Sequence, residues 1–240
     1  MVKNYTCGFS GSRIAVRLGA IAWLSSLQCF FVQWWVASNW PKPYNPGLNF
    51  ISDLGNTVCG IMPGTLQYKS RYVCSPEHHW MNVSFLLLGI TTSIGALLLR
   101  SRLLPGPLGL ISTALFVTSG IGIAMVGLNP ENLQQIKHIV GAYLNAYGAS
   151  FAILLTGVCL IKNAVHQKVG LLSFWAGIVF LILNILYTIA FYHKIPIFSL
   201  GLGAGGMEKL INYSIFLWVT LIGFYILIKT SPLNPSTNPA

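Results

Sequence analysis

The chain has 240 residues, 54% of them hydrophobic and only 8% charged, with a mean hydropathy of +0.67 and a formal net charge of +10. A soluble domain carries about 25% charged residues, so this composition excludes a water-soluble globular protein and points to the bilayer. The fourteen Lys and Arg occur singly or in pairs beside apolar runs, not in a basic tract. They read as topology signals and exclude nucleic acid as a partner.

Crossing about 30 Å of hydrocarbon takes roughly 20 apolar residues in helix. About six stretches qualify, near Ile14–Ser38, Trp80–Leu99, Pro107–Leu128, His138–Ile161, Gly170–Tyr192 and Lys209–Ile228. The fold expected is an all-α, polytopic membrane helix bundle, a single six-helix domain over 1–229 with a long outer loop at 39–79 and a disordered tail at 230–240. The first span is long and lacks a small-residue cleavage site, so it is read as retained. Trp34, Trp35 and Trp40 mark its far end as interfacial. Gly201, Gly203, Gly205 and Gly206 precede the last span and predict a tight re-entry or a mobile lid.

With six spans both termini share one side with the linkers 100–106 and 162–169. That side holds Lys3, Arg13, Arg17, Arg100, Arg102, Lys162, Lys168 and Lys229 and no acid. The positive-inside rule makes it cytoplasmic. All four acids, Asp53, Glu77, Glu131 and Glu208, fall on the opposite, outer side, against six cations. Cys59 and Cys74 share the long outer loop on that oxidising side and are expected to form a disulfide, with two free thiols as the alternative.

Four outer motifs carry ionisable groups. In Ser52-Asp53-Leu54-Gly55-Asn56, Ser52 and Asp53 suit a turn or helix cap, or else a base, metal ligand or cation site. In Ser75-Pro76-Glu77-His78-His79, Ser75 and Pro76 predict a helix start, and His79 lies three residues from Asn82, on its face. Gly127-Leu128-Asn129-Pro130-Glu131 breaks the third helix, and His138 enters hydrocarbon just beyond it on one stripe with Asn145. Ionisable groups inside a span usually face a bundle interior or a wet cavity, which makes His138 the most specific candidate. Glu208 opens the last span in Gly206-Met207-Glu208-Lys209. Asp53, His79, His138 and Glu208 are expected to converge. Catalytic roles then fall to Asp53, His138, Glu208 and Ser52, and metal ligation to His79, His138 and Asp53; such a group fits Zn²⁺ chemistry and proton handling equally well.

In this order the motifs resemble a family of six-span prokaryotic membrane proteins catalogued as a domain of unknown function. Similar proteins often have Phe-Pro-Glu-Asp in place of Leu128-Asn129-Pro130-Glu131, and Arg in place of Lys209. The resemblance implies a six-helix fold in a prokaryotic inner (plasma) membrane and supplies no activity. A weaker likeness to the alkaline ceramidase and adiponectin-receptor superfamily lacks its H-x-x-x-H signature and is analogy only.

Three readings follow: a membrane-embedded hydrolase or transferase acting on a lipid-type substrate or small-molecule ligand at the outer leaflet, a small transporter or channel for a cation or protons, and a scaffold. Polar groups crowding the outer third tilt against transport. The topology is open to test with reporter fusions after Lys162 and after Gly205. The two are expected to report opposite sides, the first cytoplasmic, and the reverse result would invert the assignment of the acidic face.

Overall fold

The computed structural model describes residues 12–64, 69–163, 165–193 and 196–230. Cys7 and the tail beyond Thr230 lie outside them. Among the described residues six helical spans are long and apolar enough to cross a membrane: Arg13–Ser38, His78–Ser101, Gly106–Leu128, Gln135–Ile161, Gln167–Phe191 and Gly203–Lys229. The all-α polytopic architecture expected from hydropathy is what the chain forms.

The first span is two helices, α1 (Arg13–Leu24) and α2 (Leu27–Ser38). The interruption has a local cause. Ser25 Oγ donates to the Ala22 carbonyl at 2.7 Å and Ser26 Oγ lies 2.6 Å from the Trp23 carbonyl and 2.7 Å from Thr220 Oγ1. Two adjacent hydroxyls thus bond back to carbonyls of the preceding turn, so the ladder is interrupted without leaving bare polar backbone in hydrocarbon. The remaining spans are α3 (His78–Leu103), α4 (Gly106–Leu128), α5 (Gln135–Ile161), α6 (Gln167–His193) and α7 (Gly203–Lys229).

Short connections make α3, α4, α5 and α6 successive neighbours, each packed extensively on the next, while α1 lies between α3 and α7 and closes the bundle. In a bilayer such packing relies on close backbone approach. At the α4–α5 crossing a Cβ on Gly122 would meet the Gly141 carbonyl, and one on Gly141 would meet that of Gly122. The centre is aromatic: Trp23 lies 5.1 Å from Phe116, which stacks on Trp218 at 5.8 Å, and the Trp23 indole donates to the Thr92 carbonyl at 3.1 Å. The last pair, α6 and α7, touches at few places. Much of α6 exposes apolar side chains, Leu172, Trp175, Val179 and Ile182 among them, as a lipid-facing helix does.

One end of the bundle, the loop face, is covered by residues 39–64 and 69–77. It contains a 3₁₀ turn (Ser52–Gly55) and a small antiparallel hairpin of β1 (Gly60–Met62) and β2 (Arg71–Val73), in register Gly60↔Val73 and Met62↔Arg71. Cys59 and Cys74 occupy the next position of that ladder and are disulfide-bonded.

Two helix starts differ from expectation. The first residue of α3 is His78, and Ser75 does not cap it, because its hydroxyl donates to the Leu54 carbonyl at 2.7 Å and ties the helix entry to the 3₁₀ turn. For α7 the start is Gly203, well before Lys209. The re-entry turn is made at Leu200, Gly201 and Gly203, all at positive φ, whereas Gly205 and Gly206 are already helical.

The disulfide closes a loop of 15 residues. In the chain-entropy model such a loop contributes about 3 kcal/mol. The Cys59→Ser/Cys74→Ser double variant is expected to unfold at a lower temperature in detergent, and reductant to lower the midpoint of the parent but not of the variant. Equal midpoints for parent and variant would contradict this.

Candidate functional site

The loop face is organised by Asp53. It lies in the 3₁₀ turn, where the Phe50 amide donates to Oδ2 at 2.9 Å and Asn49 Nδ2 to the same oxygen at 3.2 Å. From β2, Arg71 approaches with two parallel bonds, Nε to Oδ2 and Nη2 to Oδ1, both 2.7 Å. Both side chains are withdrawn from solvent, at 1% and 0% exposure. This side-on geometry is the strong form of an Arg–carboxylate pair. The guanidinium also lies 4.4 Å from the centre of the Phe50 ring and reaches Glu131 Oε2 at 3.5 Å.

A second clamp comes from α7. Glu208 and Lys209 are adjacent, and they take opposite backbone groups of the same segment: the Ile51 amide donates to Glu208 Oε2, and Lys209 Nζ donates to the Asn49 carbonyl. Lys209 also donates to the Gly205 carbonyl at 3.2 Å and sits 4.9 Å from the centre of the Tyr44 ring. The backbone can come this close to α7 because position 205 has no side chain; a Cβ there would strike the Asn49 carbonyl. A third tie joins the 129–134 connection: Thr57 N donates to Asn132 Oδ1 at 3.1 Å, Asn132 Nδ2 to Thr57 Oγ1 at 2.9 Å.

Behind these ties lies a cavity of about 310 Å³ bounded by α5, α6, α7 and the cap. Its polar lining includes Ser52, Glu131, His138, Glu208 and Asn212; its apolar and aromatic wall includes Tyr143, Tyr187 and Phe191. His138 is buried, at 6% exposure. Its Nδ1 lies 2.9 Å from the carbonyl of Asn129, the residue that ends α4. That carbonyl is one of the helix-terminal acceptors left without an intrahelical partner. Because a carbonyl only accepts, Nδ1 carries a proton, and in the neutral form of the ring the lone pair is on Nε2. Ser52 Oγ donates to Glu131 Oε2 at 3.3 Å. Burial pushes the Glu131 carboxyl above its ordinary range and neighbouring Asp53 adds to this, while Arg71 and the Ser52 hydroxyl oppose it.

The four residues expected to converge are therefore sorted. His138 and Glu208 line one cavity together with Ser52. Asp53 is engaged by Arg71 and does not line it. His79 sits on the surface, its side chain 58% exposed, 3.9 Å from Glu77 and beside the Trp80 ring. Its expected face-mate Asn82 turns to the Gly55 carbonyl at 2.9 Å. Among the described residues, no group of three or more His, Cys, Asp or Glu is placed to hold a metal ion. Arg71, Glu131 and the tyrosines Tyr143 and Tyr187 belong to the site's surroundings without having stood out as site residues. For Glu131 a signal existed, an acid immediately after the Asn129-Pro130 break.

Polar contacts also continue toward mid-membrane, where few were expected. Asn212 Nδ2 donates to the Glu208 carbonyl at 2.9 Å, Asn145 Nδ2 to Asn212 Oδ1 at 2.9 Å, and Ser119 Oγ to Asn145 Oδ1 at 3.0 Å. A smaller cavity of about 40 Å³ lies against His138, Asn145, Glu208 and Asn212.

The chain belongs to the family described as Protein of unknown function (DUF998), a model of which matches residues 24–225. No curated protein and no solved structure matches it.

Removing one member of a buried ion pair strands the other. Asp53→Ala is expected to cost about 3–5 kcal/mol, seen as a large drop in the thermal midpoint of purified protein. Adding Arg71→Met to Asp53→Ala is expected to recover part of that loss. A double variant no more stable than the single one would show that the pair's charge balance is not what holds the cap.

Proposed function

We propose that the chain is a membrane-embedded hydrolase or transferase acting on a lipid-type substrate at the end of the bundle closed by the cap, which the charge asymmetry assigns to the outer leaflet. The observation that carries this reading is the combination, in one cavity, of an apolar aromatic wall with Ser52, Glu131, His138 and Glu208. The sparse contact between α6 and α7 offers a lateral way in from lipid.

In this reading His138 is the base. Its tautomer is fixed by the Asn129 carbonyl, and Nε2 accepts the proton of a water or of a substrate hydroxyl. The oxygen so activated bonds to the electrophilic carbon or phosphorus. Glu131, whose hold on its proton burial strengthens, gives that proton to the departing oxygen. One proton is taken and one returned, so the site is reset when His138 passes its proton back to Glu131 through solvent. Ser52, bonded to Glu131, orients that acid.

The transport reading rests on the polar row Glu208–Asn212–Asn145–Ser119, which carries the site inward. A conduit for protons or a cation needs such a row.

Protein in nanodiscs, incubated with lipid extract and followed by mass spectrometry, is expected to convert a lipid species, and His138→Ala to lower the rate at least 100-fold with the fold retained. The sign of the pH dependence follows from Glu131. The acid is competent below its raised pKa, so the rate is expected to fall as pH rises through that value, and Glu131→Gln to lower the rate and remove this limb. Unchanged lipid together with a proton or cation flux in liposomes would move the assignment to transport.

A further inference from the structure

We infer that the cavity between α5, α6 and α7 is built for the ammonium group of an amphiphile: a cationic or zwitterionic head seated among the Glu131 and Glu208 carboxylates and the Tyr143, Tyr187 and Phe191 rings, with its apolar chain leaving between α6 and α7. The inference rests on the lipid-type reading above and narrows it to one headgroup chemistry.

Charge is the first argument. Counted as formal charges among the described residues, three carboxylates, Asp53, Glu131 and Glu208, gather around two cations, Arg71 and Lys209, so one negative charge is left over. Neither cation lines the cavity. Arg71 is committed to Asp53 by two bonds, and Lys209 to the Asn49 and Gly205 carbonyls. Among the described residues the walls therefore present two carboxylates, one imidazole and no Lys or Arg. An anionic head, a phosphate monoester for example, would meet net repulsion there, while a cation supplies the missing charge.

The aromatic wall is the second argument. An ammonium is attracted to the faces of aromatic rings, and ring-lined pockets are the usual receptors for methylated ammonium groups. Tyr187 and Phe191 lie side by side along α6 with ring centres 5.8 Å apart, and Tyr143 lines the same cavity from α5. Size is the third. About 310 Å³ is near the lower end for ligand pockets, enough for a small head and the first carbons of a chain but not for a whole lipid. The remainder has to lie in the bilayer, and the thin α6–α7 contact is where it can leave.

The test is binding, so it does not depend on turnover. Full-length protein in a neutral maltoside detergent is titrated with decyltrimethylammonium, with a short-chain phosphatidylethanolamine and with decyl phosphate, and occupancy is read by native mass spectrometry. At least one ammonium probe is expected to bind tenfold or more tightly than decyl phosphate; whichever binds better identifies a free amphiphile or a membrane lipid as the source. Glu131→Gln is expected to weaken the ammonium probe about tenfold. Tyr187→Leu, which keeps bulk and leaves the carboxylates alone, is expected to weaken it severalfold, so the proposal stays testable if the first variant does not fold. Equal or tighter binding of decyl phosphate, no binding of any probe, or ammonium binding indifferent to both folded variants would overturn the proposal. Ammonium binding with no lipid conversion would sustain it while removing the hydrolase or transferase reading.

Discussion

The loop face depends on the buried Asp53–Arg71 pair. A carboxylate at 0% exposure has no water to solvate it, and the cost of that isolation is recovered only by well-aligned donors. Arg71 supplies two of these, and the Phe50 amide and Asn49 side chain supply two more. The donors come from two parts of the cap and the acceptor from a third, so satisfying one charge fixes several elements: the 3₁₀ turn, the hairpin strand that carries Arg71, and the stretch before the turn. The disulfide sits one ladder position beyond that strand and holds the same hairpin from its other end. What a sequence reader takes for a candidate base is, in the fold, the point to which the cap is tied.

Once the cap is held, α7 can use it. Adjacent side chains of opposite charge, Glu208 and Lys209, read an N–H and a C=O of the same segment, a pairing that neither residue could make alone. The glycines ahead of them bring the helix within reach, with Gly203 providing the positive φ and Gly205 the space. Cap and helix together enclose Glu131, which has only a distant share in Arg71 at 3.5 Å. The pair that stabilises the cap and the imbalance that polarises the cavity are thus parts of one charge arrangement.

How much of this was legible follows from where the information is local. The spans were, because hydrocarbon requires long apolar runs and polar loops mark their ends. The disulfide was, because only two cysteines share the long loop. The interruption at Ser25–Ser26 was not, since each serine is tolerated in an apolar helix and the effect needs both hydroxyls turned back on the chain. The start of α7 was not, because Gly205 and Gly206 are poor helix formers by type, and only the fold shows that the bare Cα at 205 makes room for the Asn49 carbonyl. In the same way Ser75, a good cap by type, is spent on the Leu54 carbonyl. The hairpin has three-residue strands, too short to show an alternating pattern. His79 and Asp53 look alike in sequence, both polar at the same depth. Only the partner 18 residues away separates a buried, paired aspartate from an exposed histidine.

That distinction bears on what the polar groups are for. Asp53, Asn82 and Ser75 each find partners in neighbouring backbone or in Arg71, and a purely structural account covers them. It does not cover the cavity. A fold that only needed to close its loop face would gain by filling 310 Å³ with apolar side chains, since an open volume forfeits dispersion contacts and a buried carboxyl adds a desolvation cost. Instead Glu131, Glu208 and His138 border the same space, with the imidazole locked in one tautomer by a carbonyl that the Asn129-Pro130 break sets free. Open space and an unbalanced carboxylate each lower stability. Their coincidence in one place, beside an oriented imidazole, is what the proposed ligand would account for, by occupying the space and restoring the charge.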